Sequence, residues 1–501
     1  MKHEIIKDKR FYGEAKYMFH CPIKLQFEAK APQYAYSEVN SKITNVLQHS
    51  DNLQFIGIDR GEKHLVYSCT IDKNGDIIEG MCHHHDIING TDYVQKLEAI
   101  ADERIIAKKN WQAQNKIKDL KNGYISHVVH SLVEETIKDG EKIAPHAFIV
   151  LEDLNTEMKR GRQKIEKQVY QNLETALAKK LNFVVDKNAK HGEIGSVSKA
   201  LQLTPPVNNY QDIEGKKQFG VMLYTRANYT SVTDPATGWR KTIYIKNGRE
   251  DDIKNQILDK FSDFGFDGKD YYFEYSEANS GYTWFLYSGK NGESLPRFQN
   301  KKQMLQDKNV WVPEKINVVD ILDKLFIYFD KSKSFKKQIE EGVELKKIDG
   351  RIETAWQSLR YALDLIQQIR NSGEKNSKDD NFLYSPVRND KGEHFDTRNY
   401  KNNGRLSEIR DADANGAYNI ARKGLIIDAH IKYWIEKGCP MISAKKDEKT
   451  SDLDLFISDK EWDLWLLDRE QWKKELPIFA SRSAKEGEDN SLVAKKRKKK
   501  I

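Results

Sequence analysis

Three short acidic motifs, far apart in the chain, constrain what this sequence can fold into more than any other feature. In the first, the apolar run Phe-Ile-Gly-Ile ends at Asp59, and in the second the run Phe-Ile-Val-Leu ends at Glu152. Both runs are apolar, contain β-branched residues and end at an acid, which predicts buried strands that end in a carboxylate. The third motif, Asp-Ala-Asp-Ala-Asn-Gly-Ala-Tyr, places Asp411 and Asp413 at the start of a predicted helix of small residues.

Carboxylates at buried strand ends repel one another and lose their hydration. A divalent cation removes both costs, and hard oxygen ligands suit Mg²⁺. Two such ions about 3.5–4 Å apart can clamp an in-line phosphodiester displacement. Asp59 by itself is better explained as a turn residue next to Gly61, so the metal interpretation depends on three acidic motifs in order. Together they indicate a metal-dependent nuclease of the RNase H type.

The residues around Asp59 predict a strand meander. A β-rich stretch at residues 63–72 is followed by Lys-Asn-Gly-Asp and by a second β-rich stretch at residues 76–81. Asn-Gly between two such runs is a strong hairpin signal. The predicted fold class is therefore α/β, an RNase H-like mixed sheet with flanking helices. Residues 227–400, rich in aromatic residues, Lys, Asn and Gly, predict an inserted α+β domain between the second and third motifs.

The composition of the 501-residue chain argues against several classes of protein. Hydrophobic residues make up 38% of the chain, which is enough for buried cores, but no apolar run reaches membrane-spanning length. The N-terminus lacks the apolar stretch of a secretory signal. The four cysteines form no Cys-x-x-Cys pair, which argues against a zinc ribbon or a disulfide framework and fits a reducing cytoplasm.

The basic excess is clustered in two stretches, residues 159–167 and 495–500. Such clusters bind phosphates by counterion release, and the second is also typical of a nuclear localisation signal or an addition for expression. The run Cys-His-His-His-Asp at residues 82–86 has the chemistry of metal ligands. Neighbouring residues on a strand point to opposite faces, so we expect that these five residues do not converge on one ion.

Helical patterns are predicted at three further places. A pattern rich in Lys and Arg covers about residues 92–121, and Gly123 is expected to end it before a second helix at residues 124–136. Another pattern covers Thr354–Arg370. The last, rich in tryptophan, covers Asp459–Glu475.

Short motifs occur in a fixed order along roughly residues 2–475. They are Ile6–Phe11, Gly57–Glu62, Gly123–Tyr124, Val128–His130, Leu151–Asn155, Lys159–Arg162, Glu166–Tyr170, Tyr229–Ser231, Asp234–Pro235, Thr237–Gly238, Arg370–Ser372, Ser385–Arg388, Phe395–Arg398 and Asp411–Tyr418. In this order they resemble the type V-A CRISPR RNA-guided DNA endonucleases of prokaryotic antiviral defence. Each motif is weak alone, whereas the series is specific.

The resemblance implies a domain organisation and a cytoplasmic location in a prokaryote. The implied parts are a remnant of the guide-handle (wedge) domain at 1–50, a first RuvC-like part at 51–226 with the bridge helix at about 92–121, an inserted Nuc domain at 227–400, a second RuvC-like part at 401–478 and a disordered basic tail at 479–501.

The resemblance also implies the site residues. Asp59, Glu152 and Asp413 would be the catalytic metal ligands, holding Mg²⁺ with Mn²⁺ as the alternative ion. Asp411 is interpreted instead as compensating the charge of the helix N-terminus. Arg370 matches an arginine that helps place the target strand for cutting, and its alternative role is that of a cation at the C-terminus of a helix.

Further residues match positions that contact nucleic acid or the rest of the effector. The basic lid over the catalytic pocket would contain Lys159, Arg160, Arg162 and Lys164. Lys7 matches a residue of the guide-RNA processing site. Trp111 matches a bridge-helix tryptophan that docks into the recognition lobe, with an ordinary core tryptophan as the alternative.

The implied partners are DNA, a guide RNA and a recognition lobe. Family members are more than twice as long as this chain, and their recognition lobe has no counterpart in it. The lobe would either be supplied by a separate polypeptide or have been lost by truncation. Three hypotheses follow. The chain is the nuclease half of a guided effector, an autonomous unguided nuclease on single-stranded DNA, or a non-catalytic remnant that binds nucleic acid.

Overall fold

The computed structural model describes residues 32–60, 64–88, 90–93, 95–96, 111–139, 142–153, 164–186, 188–196, 198–213, 218–277, 281–305, 308–350, 353–374, 377–437 and 455–480. Within them a six-stranded mixed sheet forms the centre. Its strands are β1 (Gln54–Asp59), β2 (Tyr67–Asp72), β3 (Ile77–His84), β4 (Ala147–Glu152), β5 (Gln218–Phe219) and β6 (Met222–Thr225). The expected α/β class with a mixed sheet is confirmed.

The order of strands across this sheet is β3-β2-β1-β4-β6-β5. β1, β2 and β3 form an antiparallel meander, while β1, β4 and β6 are parallel to one another. Every residue of β1 and β4 is buried, as expected for central strands with both faces covered. The predicted Asn-Gly turn joins β2 to β3, with Gly75 at φ 91° and two backbone N–H groups donating to Oδ1 of Asp72.

The described residues form helices both on the central sheet and in the region that follows β6. They are α1 (Pro32–Gln48), α2 (Trp111–Ile137), α3 (Lys164–Leu181), α4 (Glu250–Lys260), α5 (Val318–Leu325), α6 (Phe335–Glu340), α7 (Ala355–Ile366), α8 (Ala412–Glu436), α9 (Asp459–Leu467) and α10 (Arg469–Phe479). None of these helices, which are those of the described residues, is long and apolar enough to cross a membrane.

The helix α8 packs directly on β1 and β2. Glycine makes this close approach feasible, because a Cβ built on Gly57 would lie 2.1 Å from the carbonyl oxygen of Ala417. A Cβ on Gly424, two turns further along α8, would lie 2.6 Å from Val150. The backbone of the helix therefore touches the two strands that carry the first two acids.

Two helix predictions are wrong. α2 runs without a break through Gly123, because Tyr124, Val128 and Leu132 bury one face of it and outweigh a glycine cost of about 1 kcal/mol. The tryptophan-rich pattern forms two helices rather than one, because Asp468 ends α9 and caps α10 by accepting a hydrogen bond from the Gln471 N–H at 2.9 Å.

The residues between β6 and α8 form smaller sheets. Their strands are β7 (Asp263–Phe266), β8 (Tyr271–Ser276), β9 (Thr283–Tyr287), β10 (Arg297–Leu305), β11 (Lys308–Ile316), β12 (Arg370–Asn371), β13 (Phe382–Arg388) and β14 (His394–Asp396). β7–β9 and β12–β14 are three-stranded sheets, and β10 with β11 is a hairpin. The two-residue hairpins are Ile87–Ile88 with Thr91–Asp92, Lys138–Asp139 with Lys142–Ile143, and Gly289–Lys290 with Glu293–Ser294.

Candidate active site

Two of the three acids lie side by side at the carboxyl edge of the central sheet. Asp59 is the last residue of β1, and Glu152 is the last residue of β4. The strands are parallel neighbours with Ile58 opposite Leu151, so the two acids that follow come next to each other. Both acidic residues are 7% exposed. The sheet register alone therefore brings together two carboxylates from distant parts of the sequence.

Asp413 reaches the same edge from the first turn of α8. Asp411 is the N-cap residue of this helix, and its Oδ1 accepts a hydrogen bond from the backbone N–H of Ala414 at 2.9 Å. A Cβ built on Gly416 would lie 2.4 Å from Oδ2 of Asp59. A glycine at this position therefore lets the helix come close enough for Asp413, which is 2% exposed, to join the other acids.

Burial and neighbouring charges shift the pKa values of Asp59 and Glu152. Burial raises the pKa of Asp59 well above its usual range, and the charges of Glu152 and Asp413 raise it further. Burial also raises the pKa of Glu152, although the Thr230 hydroxyl opposes the shift by donating a hydrogen bond of 3.0 Å to Oε1. Clustered, desolvated carboxylates need a balancing cation, and this all-oxygen set of donors fits a hard divalent ion such as Mg²⁺.

A buried lysine lies on the helix that carries Asp413. The Nζ of Lys423 donates to the backbone carbonyls of Arg226 and Asn228 at 2.8 and 2.9 Å. Burial lowers the pKa of Lys423 to about 8, while the neighbouring Glu152 carboxylate opposes that shift. Lys423 therefore balances part of the negative charge of the site and holds the segment after β6 against α8.

Arg370 approaches the acids from the residues inserted between β6 and α8. Its charge and that of Arg60 lower the pKa of Asp59, against the effects of burial and of the other two acids. Arg370 begins β12 and donates from Nε to Oδ1 of Asn381 at 3.2 Å. The alternative role as a helix C-terminal cation is wrong, because α7 ends at Ile366 and Arg370 lies on a strand.

The sequence interpretation missed residues that hold the acids. The backbone N–H of His64 donates to Oδ2 of Asp413 at 3.0 Å, and Thr230 and Lys423 act on Glu152 as described above. For Lys423, a signal was present, since a lysine among the apolar residues of a helix is unusual. His64 and Thr230 gave no local signal, because their contacts depend on how separate segments return to the sheet.

His64 also connects two further carboxylates. Its Nδ1 lies 2.5 Å from Oδ2 of Asp86, and its Nε2 lies 3.0 Å from Oδ2 of Asp411. Burial disfavours the charged ring, but the hydrogen bonds to Asp411 and Asp86 raise the pKa of His64 to about 9. Asp411 therefore caps α8, as interpreted, and also holds the His64 ring.

Several predicted residues lie outside the described part of the chain. These are Lys7, Lys159, Arg160, Arg162 and the basic run at residues 495–500. Trp111 and Lys164 begin α2 and α3, but only their backbone is described. Their predicted contacts with nucleic acid or with a recognition lobe stay predictions.

Comparison with known protein families gives one match that spans most of the chain. Residues 33–470 match the model of the RuvC nuclease domain. The matched region includes β1, β4 and α8, and thus all three acids. Nucleases of this kind generally depend on divalent metal ions, which agrees with the oxygen donors at the edge of the sheet.

Proposed function

This chain belongs to the RuvC nuclease domain family, and from that premise we propose that it is the Mg²⁺-dependent DNA endonuclease of a type V-A CRISPR effector. It cuts single-stranded or unwound DNA by hydrolysing a phosphodiester bond. The observation that carries the proposal is the convergence of Asp59, Glu152 and Asp413 at one sheet edge. The ordered motifs of the sequence support the narrower assignment to the guided effectors.

In this proposal the three acids hold the metal ions, with Mn²⁺ as the alternative to Mg²⁺. When bound, divalent ions in such a site activate water and stabilise the leaving oxygen. The protein's own part is to fix the ligands. The Thr230 hydroxyl orients Glu152, and the His64 N–H orients Asp413.

Arg370 is proposed to position the DNA strand. Its guanidinium group lies close enough to Asp59 to lower the pKa of that acid. A guanidinium can hold phosphate oxygens in a fixed geometry through paired N–H donors. The basic residues Lys159, Arg160, Arg162 and Lys164 are proposed to contact the backbone of the same strand.

A guide RNA is proposed to select the strand that is cut, through base pairing in a recognition lobe. Lys7 and Trp111 are the residues of this chain proposed to face the RNA and that lobe. An autonomous nuclease that cuts single-stranded DNA would use the same three acids. The test below therefore distinguishes it from a guided nuclease.

The test uses labelled single-stranded DNA and a duplex with an unpaired bubble, each with Mg²⁺, with EDTA, and with or without guide RNA and a separately supplied recognition lobe. We expect Mg²⁺-dependent cutting that Asp59→Ala abolishes, whereas Glu79→Gln, an exposed acid on β3, serves as the matched control and cuts normally. Cutting that requires guide RNA supports the guided effector, and equal cutting without it supports the autonomous nuclease. Cutting that survives Asp59→Ala would contradict the assignment of the site.

A further inference from the structure

A second cluster of ligand side chains lies next to the acid site. Oδ2 of Asp86 is 2.5 Å from Nδ1 of His64 and 3.5 Å from Nδ1 of His84. One ligand atom from each residue lies within 4.8 Å of the other two. We propose that His64, His84 and Asp86 bind a transition-metal ion of the Zn²⁺ class, at a site separate from the three catalytic acids.

The distances suit such an ion once the His84 ring turns. In this structure it stacks on the His64 ring, with centroids 4.4 Å apart and planes 13° apart, whereas both ligand nitrogens have to point at one ion. With bonds of about 2.0–2.1 Å, the ligand atoms of a tetrahedral zinc site lie about 3.3 Å from one another. The separation of His84 and Asp86 already has this value to within a few tenths of an ångström. His64 has to move less than about 1 Å away from Asp86. Two imidazoles and one carboxylate favour zinc-like ions over Mg²⁺, which prefers oxygen ligands.

The strand register explains why part of the histidine run reaches this cluster. His84 is the last residue of β3, opposite Tyr67, and Asp86 follows two positions later, so both fall on the same side. His83 and His85 lie elsewhere, with ring centroids 4.8 Å apart and Nε2 of His85 2.9 Å from the Ser68 hydroxyl. This arrangement agrees with the expectation that the whole run does not converge on one ion. That expectation concerned residues 82–86 alone and did not include His64, which comes from outside the run.

The surroundings orient the ligands as in known metal sites. A ligating histidine usually donates its other N–H to a carboxylate, and Nε2 of His64 lies 3.0 Å from Oδ2 of Asp411. Oδ1 of Asp86 accepts a hydrogen bond from the Leu65 N–H at 3.0 Å, which turns Oδ2 toward the two histidines.

The exposure of the cluster and its number of ligands also fit a bound Zn²⁺ ion. The side chain of His84 is 38% exposed, whereas those of His64 and Asp86 are 12% and 8% exposed. An ion therefore has a route from solvent past His84. Three protein ligands leave a fourth position for water or another small ligand.

The consequence concerns the catalytic edge of the sheet. The backbone N–H of His64 holds Asp413, and the ring of His64 holds the Asp411 cap of α8. An ion bound by His64 would therefore brace the turn of α8 that carries the third acid. This role is one of positioning, and metal binding at the cluster does not depend on the proposed nuclease activity.

The test measures Zn²⁺ and Co²⁺ binding to the full chain in excess Mg²⁺, in an Asp59→Ala background that weakens the acid site. We expect one Zn²⁺ per chain by competition with a chromophoric chelator, and a Co²⁺ absorption spectrum typical of tetrahedral nitrogen and oxygen ligands. His84→Gln should weaken binding by at least about 100-fold, and Asp411→Asn by about 10–100-fold. The matched control, His83→Gln, should bind like its parent.

Circular dichroism of each variant without metal establishes that it is folded. Equal Zn²⁺ affinity in His84→Gln and His83→Gln would overturn the proposal, as would the absence of Zn²⁺ and Co²⁺ binding to the parent chain. In that last case His64 serves as a charged hydrogen-bond bridge between Asp86 and Asp411 and nothing more. Zn²⁺ binding at the cluster, together with no DNA cutting by the chain that retains Asp59, would leave this proposal intact while contradicting the proposed function.

Discussion

Replacement of Gly416 by alanine should disable the acid site while leaving the protein folded. The new Cβ would lie 2.4 Å from Oδ2 and 2.8 Å from Cγ of Asp59. Ordinary van der Waals contact begins near 3.4 Å, so the Asp59 carboxylate or the first turn of α8 must move by about 1 Å. A misplacement of this size at a reacting centre lowers rates by about 100-fold.

The expected effect on stability is small, for two opposing reasons. Overpacking a buried position costs roughly 1–3 kcal/mol, whereas alanine is better than glycine inside a helix by about 1 kcal/mol. The net change in the free energy of unfolding should therefore be within about 2 kcal/mol of zero. Urea unfolding followed by circular dichroism measures it, and single-turnover cutting of labelled DNA in Mg²⁺ measures the rate.

Gly424→Ala is the matched control, because it adds the same methyl group to the same helix. Its Cβ would lie 2.6 Å from Val150 and 2.9 Å from Phe55, two apolar side chains of the strands beneath, rather than near an acid. It should lower stability with much less effect on the rate per folded molecule. A wild-type rate for Gly416→Ala, or an equal loss of rate in both variants, would refute the reasoning.

Three further predictions concern other positions. Burial raises the pKa of Glu174 from an ordinary 4.5 to about 8, although the Tyr224 hydroxyl opposes the shift; the resulting stability is present below pH 4.5 and lost as pH rises through 8. Between pH 4.5 and 8 the free energy of unfolding of the parent should therefore fall by up to about 1.4 kcal/mol per pH unit more steeply than that of Glu174→Gln. Urea unfolding of both proteins from pH 5 to 9 measures this, and two curves of unfolding free energy against pH with the same slope would contradict it. Arg370→Ala should reduce the rate of DNA cutting by about tenfold or more with the unfolding midpoint unchanged, and Arg370→Lys should restore only part of it; normal cutting by the alanine variant would exclude a role in strand placement. Gly123→Ala should raise the free energy of unfolding by about 1 kcal/mol, since among the described residues no atom beyond its own stretch of helix lies within 4 Å of the Cβ position, and a lower stability would show that this glycine is required.

Much of the candidate site follows from local sequence. Asp59 and Glu152 end apolar runs, and parallel neighbouring strands necessarily bring such ends to one edge. The turn at Gly75 and the helix beginning after Asp411 are likewise encoded by nearby residues. These features depend on periodicity and turn chemistry, which a single sequence displays.

The remaining features depend on tertiary contacts and were beyond local reasoning. Arg370 continues an apparent helix in the sequence but pairs as a strand, because residues 382–388 return beside it. The break at Asp468 depends on one side chain capping the next helix. His64 lies in a stretch predicted as β-rich, but its contacts with Asp413 and Asp86 depend on how distant segments return to it, so its role could be recognised only in three dimensions.

The packing of α8 on β1 has a consequence for synthesis of the protein. The central strands are made before the residues inserted behind β6, whereas the helix that covers them and supplies the third acid is made after those residues. Chains fold from the N-terminus as they leave the ribosome, at about 5–20 residues per second. Until α8 has emerged, the nascent sheet keeps an apolar face uncovered and its acid edge incomplete, so the growing chain cannot cut nucleic acid before that helix is made.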